Sequence, residues 1–377
     1  MKVGFFSPLP PARTGVADYS AALLKRLRRL GNVELNAEDA SVSIYHLGNN
    51  QLHREIYDRA LRHPGVAVLH DAVLHHFFLG SLNEAEYIRE FTFNYGDWTE
   101  EQARELWRER ARSAADPRYF RYPLLKRIAE TSRAVIVHNP GAAEMVRKHV
   151  PAADIHELPL LFDPPVLAPA YEIERLRASL GVPRTTLLCG VFGHLRESKR
   201  ILPILRAFTA ARREADLALL IAGEFVSSDL SRAAGPLLAT PGIFRFGYTP
   251  EDQFWRLAAA VDVCLNLRYP PAGETSAIGI ALMGIGKPVV FNAGPETARF
   301  PEAACLRADP GEPEESMLAE YLIWLAHNQA DAGAIGNRAQ AYIREEHAAD
   351  KVAAMYWDVL MAAAGLPADL TCVSHQS

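Results

Sequence analysis

Arg196, Lys199 and Arg200 fall within one short segment that follows the apolar run ending in Cys189-Gly190-Val191-Phe192-Gly193-His194, and three cations so placed are the chemistry of a diphosphate clamp. Arginine grips phosphate oxygens bidentately, and lysine adds a compact positive charge. A solvated helix start would carry acids, because the helix dipole is positive there, so the bases argue for a bound anion. A second segment, Gly273-Glu274-Thr275-Ser276-Ala277, leads from a loop into a helix. Thr275 and Ser276 are N-cap residue types, the N–H groups of Thr275, Ser276 and Ala277 suit a phosphate or sugar oxygen, and Glu274 can accept hydrogen bonds from sugar hydroxyls. Alone, the same residues would equally describe a capped helix with a surface glutamate.

A third group is Val68-Leu69-His70-Asp71, an apolar run closed by two polar residues, with His75 and His76 close behind. His70 is expected to orient or hydrogen-bond a substrate hydroxyl, whereas His75 and His76 read as surface histidines. Nothing else in the chain points to water activation or redox chemistry, so no metal is expected there. Gly15 sits between a strand and a helix, where the lack of a side chain lets backbone N–H groups approach a phosphate. Its loop contains neither GxGxxG nor the P-loop Lys-Ser/Thr. Asp18 and Tyr19 follow on the first helical turn; Asp18 either faces the same cleft or simply complements the dipole. Tyr248 offers a ring to a flat base or packs on the surface.

The elements that must position these residues alternate. Lys2–Phe6 and residues 42–44, 66–69, 134–137 and 156–158 read as short buried strands with helices between them, the first helix running over residues 16–30. A proline-rich stretch at 161–169 is followed by a fresh series of strands at 186–191, 218–221, 244–246, 261–267 and 288–291. The expected organisation is an α/β chain with an N-terminal domain at 1–165, a second at 166–345, and a C-terminal helix and tail at 346–377, poorly ordered over 366–377. In doubly wound folds ligands bind at the carboxyl edge of the parallel sheet, where all three groups fall.

Composition narrows the class. The 377 residues are 49% hydrophobic and 23% charged, as in a globular protein of two ordinary domains. A net charge of -5 argues against nucleic acid as a partner. Basic, partly aromatic stretches at 24–30 and 104–127 could lie against anionic lipid or be solvated faces with charge pairing. No apolar run approaches the roughly 20 residues needed to span a bilayer. Met1-Lys2 leads directly into a core strand, so a cytoplasmic location is expected. The four cysteines, Cys189, Cys264, Cys305 and Cys372, show no metal-type pairing and are expected to be neither bridged nor ligated.

In this order the segments resemble the retaining glycosyltransferases of family 4, in a subset with GETS in place of a two-glutamate motif. The resemblance covers nearly the whole chain and rests on SPLPPARTGVADYS, FGHLRESKRILPILRAF, IAGE at 221–224, FGYTPEDQFWRLAAAVDVCLNL and GETSAIGIALMGIGKPVV. It implies the GT-B fold, two facing Rossmann-like domains with the last helix crossing back to the first. It implies transfer of a sugar from a nucleoside diphosphate to an acceptor hydroxyl with retention, without metal or cofactor, in cell-surface glycan or glycolipid assembly. Lys199 matches the lysine of the family's diphosphate pair, but His194 stands at the usual arginine, leaving Arg196 or Arg200 to substitute. Gly15 matches the glycine loop, and His70 the histidine near the donor sugar. The expected catalytic set is His70, Lys199 and Glu274. Gly15, Arg196, Arg200, Tyr248, Thr275, Ser276 and Ala277 join Lys199 and Glu274 on the donor, and Asp18 and Asp71 take a sugar, lipid-linked or small-molecule acceptor. The departure is at Gly273 and Ala281, which occupy the positions of the two glutamates. It leaves two other readings: a nonenzymatic nucleotide-sugar sensor or inactive partner subunit, or another GT-B enzyme such as a nucleotide-sugar epimerase.

Overall fold

The computed structural model of the chain describes residues 1–12 and 14–366. Cys372 and the expected tail beyond residue 366 lie outside them. Two units divide the chain: unit 1 takes residues 1–161, 272–275 and the segment from Ala348 onward, and unit 2 takes 162–271 and 276–347.

Unit 1 is built on a parallel six-stranded sheet of β1 (Lys2–Phe6), β2 (Asn32–Leu35), β3 (Val42–Leu47), β4 (Val66–Leu69), β5 (Ala134–Val137) and β6 (Ile155–Glu157). Its order is β2-β1-β3-β4-β5-β6. The intervening helices are α1 (Gly15–Leu30), α2 (Arg54–Arg62), α3 (His75–Ser81), α4 (Glu84–Tyr95), α5 (Glu100–Glu109), α6 (Lys126–Thr131) and α7 (Pro140–His149). Every residue of β4 (VAVL) and β5 (AVIV) is buried, as a sheet covered on both faces requires.

Unit 2 repeats the plan with β7 (Leu187–Phe192), β8 (Leu217–Ala222), β9 (Ile243–Phe246), β10 (Val263–Leu265), β11 (Val289–Asn292) and β12 (Leu306–Ala308), in the order β12-β11-β10-β7-β8-β9 and again all parallel. Counted from β7 this is the 3-2-1-4-5-6 order of dinucleotide-binding sheets. The helices are α8 (Ala170–Ser179), α9 (Ile201–Ala211), α10 (Ser228–Leu238), α11 (Glu251–Ala260), α12 (Ala277–Gly284), α13 (Glu314–His327) and α14 (Gln329–Glu346). The last helix, α15 (Ala349–Ala363), belongs to unit 1. It lies on α1, where Asp350 pairs with Arg26 at 2.8 Å and the Tyr356 hydroxyl meets that of Tyr19 at 3.0 Å, both rings buried.

Two strands escape the sequence reading, β2 and β12. Both are edge strands, and β2 buries only Val33, so neither shows an apolar run. Four of the seven arginines of residues 104–127 form ion pairs: Arg104 with Glu100, Arg108 with Glu101, Arg118 with Asp116, Glu105 and Glu109, and Arg127 with Glu90. Among the described residues no helix is long and apolar enough to cross a membrane. Cys189, Cys264 and Cys305 are buried and free.

Candidate functional site

In a doubly wound sheet the strand order reverses at one point, and the loops leaving the strands on either side splay apart to open a crevice. Unit 2 reverses between β7 and β10, so the segments after Phe192 and Leu265 define its crevice. After β7 the chain turns at Gly193, whose φ of 83° suits glycine, and passes through a short 3-10 turn at Glu197–Lys199. The Lys199 ammonium donates to the Phe192 carbonyl at 2.6 Å, which anchors it at the strand end. A Cβ on Gly193 would lie 2.9 Å from that ammonium and 2.7 Å from Cδ1 of Ile278, so the Lys199 side chain and a side chain of the first turn of α12 both crowd this glycine. The Tyr269 N–H donates to Ser198 at 2.7 Å, tying the segment after β10 to the same turn.

The cations have different fates. Arg196 is exposed, and it acts with Lys199 on His194: partial burial and then these two positive charges hold the His194 pKa below its usual value. Arg200 turns away to Glu314, a fully buried carboxylate, at 2.6 Å. Glu314 also receives the Asn292 amide at 2.7 Å, so Arg200 is the counter-ion of a buried acid. Arg268, just beyond β10, donates to the Ser276 hydroxyl at 3.2 Å at the cap of α12. No role for it follows from sequence pattern, although it immediately follows the strand Val261-Asp262-Val263-Cys264-Leu265-Asn266-Leu267 that leads into the loop. Tyr248 is 52% exposed.

Unit 1 reverses between β1 and β3. The loop after β1 ends at Thr14, whose hydroxyl caps α1 by accepting from Ala17 N–H at 3.1 Å. Gly15 opens the helix, is exposed, and would place a Cβ in open space with nothing within 4 Å. Asp18 is exposed on the same turn, while Tyr19 points inward, its ring edge-on to His70 at 5.1 Å. His70 stands one residue beyond β4 and keeps part of its surface. Burial first, then the neighbouring His138, His46 and His53, press its pKa well below the usual value, so it is neutral near pH 7. Asp71 accepts the Asn49 N–H at 2.8 Å. His75 corrects the expectation of a surface residue: it is fully buried, 2.7 Å from the Tyr87 hydroxyl, with its pKa pushed down to about 3 by burial.

The GETS loop divides where the sequence reading kept it whole. Residues 272–275 are built onto unit 1 beyond β4 and β5. The Ala272 carbonyl accepts from Ala72 and Val73 N–H at 2.8 and 3.0 Å. The buried Asn139 amide donates to the Gly273 carbonyl at 2.9 Å and to the Thr275 hydroxyl at 3.0 Å. Thr275 itself donates to the His138 carbonyl at 3.1 Å, so it is not the helix cap. Ser276 is, accepting from Gly279 N–H at 3.2 Å, and Ala277, itself exposed, begins a first turn that is buried from Gly279 onward. Glu274 folds one oxygen back onto Ala272 N–H at 2.7 Å. The structure therefore gathers His70, Asp71, Glu274 and Thr275 on unit 1, and Arg196, Lys199, Arg268, Ser276 and Ala277 on unit 2. Among the described residues no cluster of three or more His, Cys, Asp or Glu side chains could hold a metal ion.

Two parallel six-stranded doubly wound sheets, each flanked by helices, define the GT-B fold. Solved structures bear this out across almost the whole chain. HepE (Alr3699) of Anabaena, solved with UDP and glucose, is 14% identical over 96% of this chain and 100% of its own, with a TM-score of 0.69. Sucrose-phosphate synthase of Thermosynechococcus elongatus is 14% identical over 96% of this chain and 98% of its own, TM-score 0.66. WaaG, a glycosyltransferase involved in lipopolysaccharide biosynthesis, is 15% identical over 94% and 99%, TM-score 0.57. No family model matches the chain, and no curated protein sequence does. At these identities the likeness is one of fold.

Proposed function

We propose that the chain is a glycosyltransferase that moves a sugar from a nucleoside diphosphate to an acceptor hydroxyl with retention of configuration and without a metal. The observation that carries this reading is Lys199, anchored on the Phe192 carbonyl at the strand-order reversal of unit 2 and set against the first turn of α12. An ammonium and a helix N-terminus stabilise the charge that develops on a departing diphosphate. Arg268 at the α12 cap supplies a further positive charge. On unit 1, Gly15 admits the donor phosphates closely, neutral His70 and Glu274 hydrogen-bond the transferred sugar, and Asp18 and Asp71 serve the acceptor. Arg196 replaces the family's arginine; Arg200 is withdrawn from that role. Uridine diphosphate is the first nucleotide to try, since HepE has been solved with UDP and with UDP-glucose. The acceptor is a sugar, lipid-linked or small-molecule hydroxyl compound.

Calorimetry against UDP, GDP and dTDP tests the site. One of the three binds, and Lys199→Ala raises its dissociation constant at least tenfold, the loss of one charge-assisted contact at about 1.5–3 kcal/mol. Unchanged affinity in that variant removes the clamp. Release of nucleoside diphosphate from the matching donor sugar tests the reaction, and tight binding with no release under any acceptor would make the protein a sensor.

A further inference from the structure

His70 does not stand alone. His46 lies on the neighbouring strand opposite Val68, on the face that His70 continues two residues later. The two rings stack with centroids 5.2 Å apart and 19° between planes, and Nδ1 of His46 is 2.9 Å from Nε2 of His70. His46 is fully buried, and its Nε2 has no hydrogen-bond partner among the described residues. His70 keeps part of its surface. Its Nδ1 has no hydrogen-bond partner among the described residues.

A single proton occupies the contact, because both rings are neutral: burial, then His138 and His53, also hold His46 well below the usual range. If His70 supplied that proton, His46 would have to carry its own on Nε2, a buried donor with nothing to receive it. If His46 supplies it, the atom left bare is only a lone pair. An orphaned donor is the costlier of the two. The surrounding histidines make the same choice. His53 gives Nδ1–H to the His46 carbonyl at 2.9 Å, and His138 gives Nδ1–H to the Leu158 carbonyl at 3.0 Å.

We propose that His46 is a positioning residue: its Nδ1–H donates to Nε2 of His70 and locks His70 in the Nδ1–H tautomer, so that His70 offers its ligand a hydrogen-bond donor and not a base. The ligand class follows. An N–H donor fits an oxygen with a lone pair to give, a sugar hydroxyl or a phosphate oxygen, and cannot take a proton from an attacking acceptor. The tautomer stands on the geometry of unit 1; its catalytic meaning rests on the transferase reading above.

The test separates the two. Long-range 1H–15N correlation on histidine-labelled protein at pH 7.5 should show His70 protonated on Nδ1. In His46→Phe, which cannot donate, the His70 signals should move toward the Nε2–H pattern, and His46→Asn, whose amide can donate from a similar position, should restore Nδ1–H. Wild-type His70 protonated on Nε2, or an unchanged tautomer in folded His46→Phe, overturns the proposal. If His46→Phe does not fold, wild type and His46→Asn decide it by themselves: Nδ1–H in both supports it, and Nε2–H in either overturns it. In turnover assays kcat should drop about tenfold in His46→Phe with donor KM unchanged, and recover in His46→Asn. An inactive wild type with His70 on Nδ1 would sink the transferase reading and leave the tautomer standing.

Discussion

Glycine at position 15 has no packing reason to be glycine. It opens α1 without a positive φ, and a methyl group there would touch nothing within 4 Å. Replacing a helical glycine with alanine ordinarily stabilises by about 0.4–1 kcal/mol, because the unfolded chain loses freedom. Gly15→Ala should therefore leave the thermal midpoint unchanged or raise it, while activity falls as the methyl occupies the space a phosphate needs. Thermal unfolding and nucleotide release, measured on the same preparation, check both halves; full activity in a stabilised variant would strip Gly15 of its ligand role. Gly193 is the opposite case. Its φ of 83° and its crowding by Lys199 and Ile278 give it a structural necessity as well as a functional one.

At the level of elements, cations adjacent in sequence are separated by what their segments pack against. Lys199 closes a 3-10 turn and is held toward the β7 end, whereas Arg200 caps α9 and reaches the start of α13, where Glu314 is fully buried. Removing one partner of a buried ion pair strands the other and costs about 3–5 kcal/mol, while removing both leaves no unpaired charge. Arg200→Met should accordingly lower the unfolding midpoint markedly with nucleotide affinity within threefold of wild type, and Arg200→Met combined with Glu314→Gln should recover most of the stability. A large loss of nucleotide affinity without loss of stability would return Arg200 to the donor site. The strands buried on both faces were legible in the sequence as continuous apolar runs at β1, β4, β5, β7 and β8, and so was the place of His70 directly after β4. Long-range pairing was not legible. Arg200 with Glu314 spans 114 positions, and Asn139 with Gly273 spans 134, so nothing near either residue in the chain announces the partner. His46 was hidden differently, because the apolar signal of β3 faded at Ile44 while the strand ran on to Leu47.

Among the described residues four of the five buried histidines lie in unit 1, and the fifth, His347, lies in unit 2. His46, His53, His75 and His138 of unit 1 are all buried, and burial is the main cause that pushes His53 down to about 4 and His75 to about 3. A histidine depressed in the folded state binds fewer protons there than in the unfolded chain, so its contribution to stability is complete above the unfolded pKa near 6.5 and is lost as pH falls toward the folded value. By pH 5 each of His53 and His75 should withdraw about 2 kcal/mol, with His46 and His70 adding in the same direction, before most carboxylates change charge. Unit 2 has a smaller term of this kind from His194, whose surface position limits it. Hydrogen exchange at pH 7.5, 6 and 5, corrected for intrinsic rates, should show β3, β4 and β5 opening progressively while β7 and β8 hold their protection. Activity should fall over the same interval because the unit that carries His70 loosens. Equal loss of protection in both units, or acid opening that begins in β7 and β8, would show that the buried histidines do not govern the acid limit of this fold.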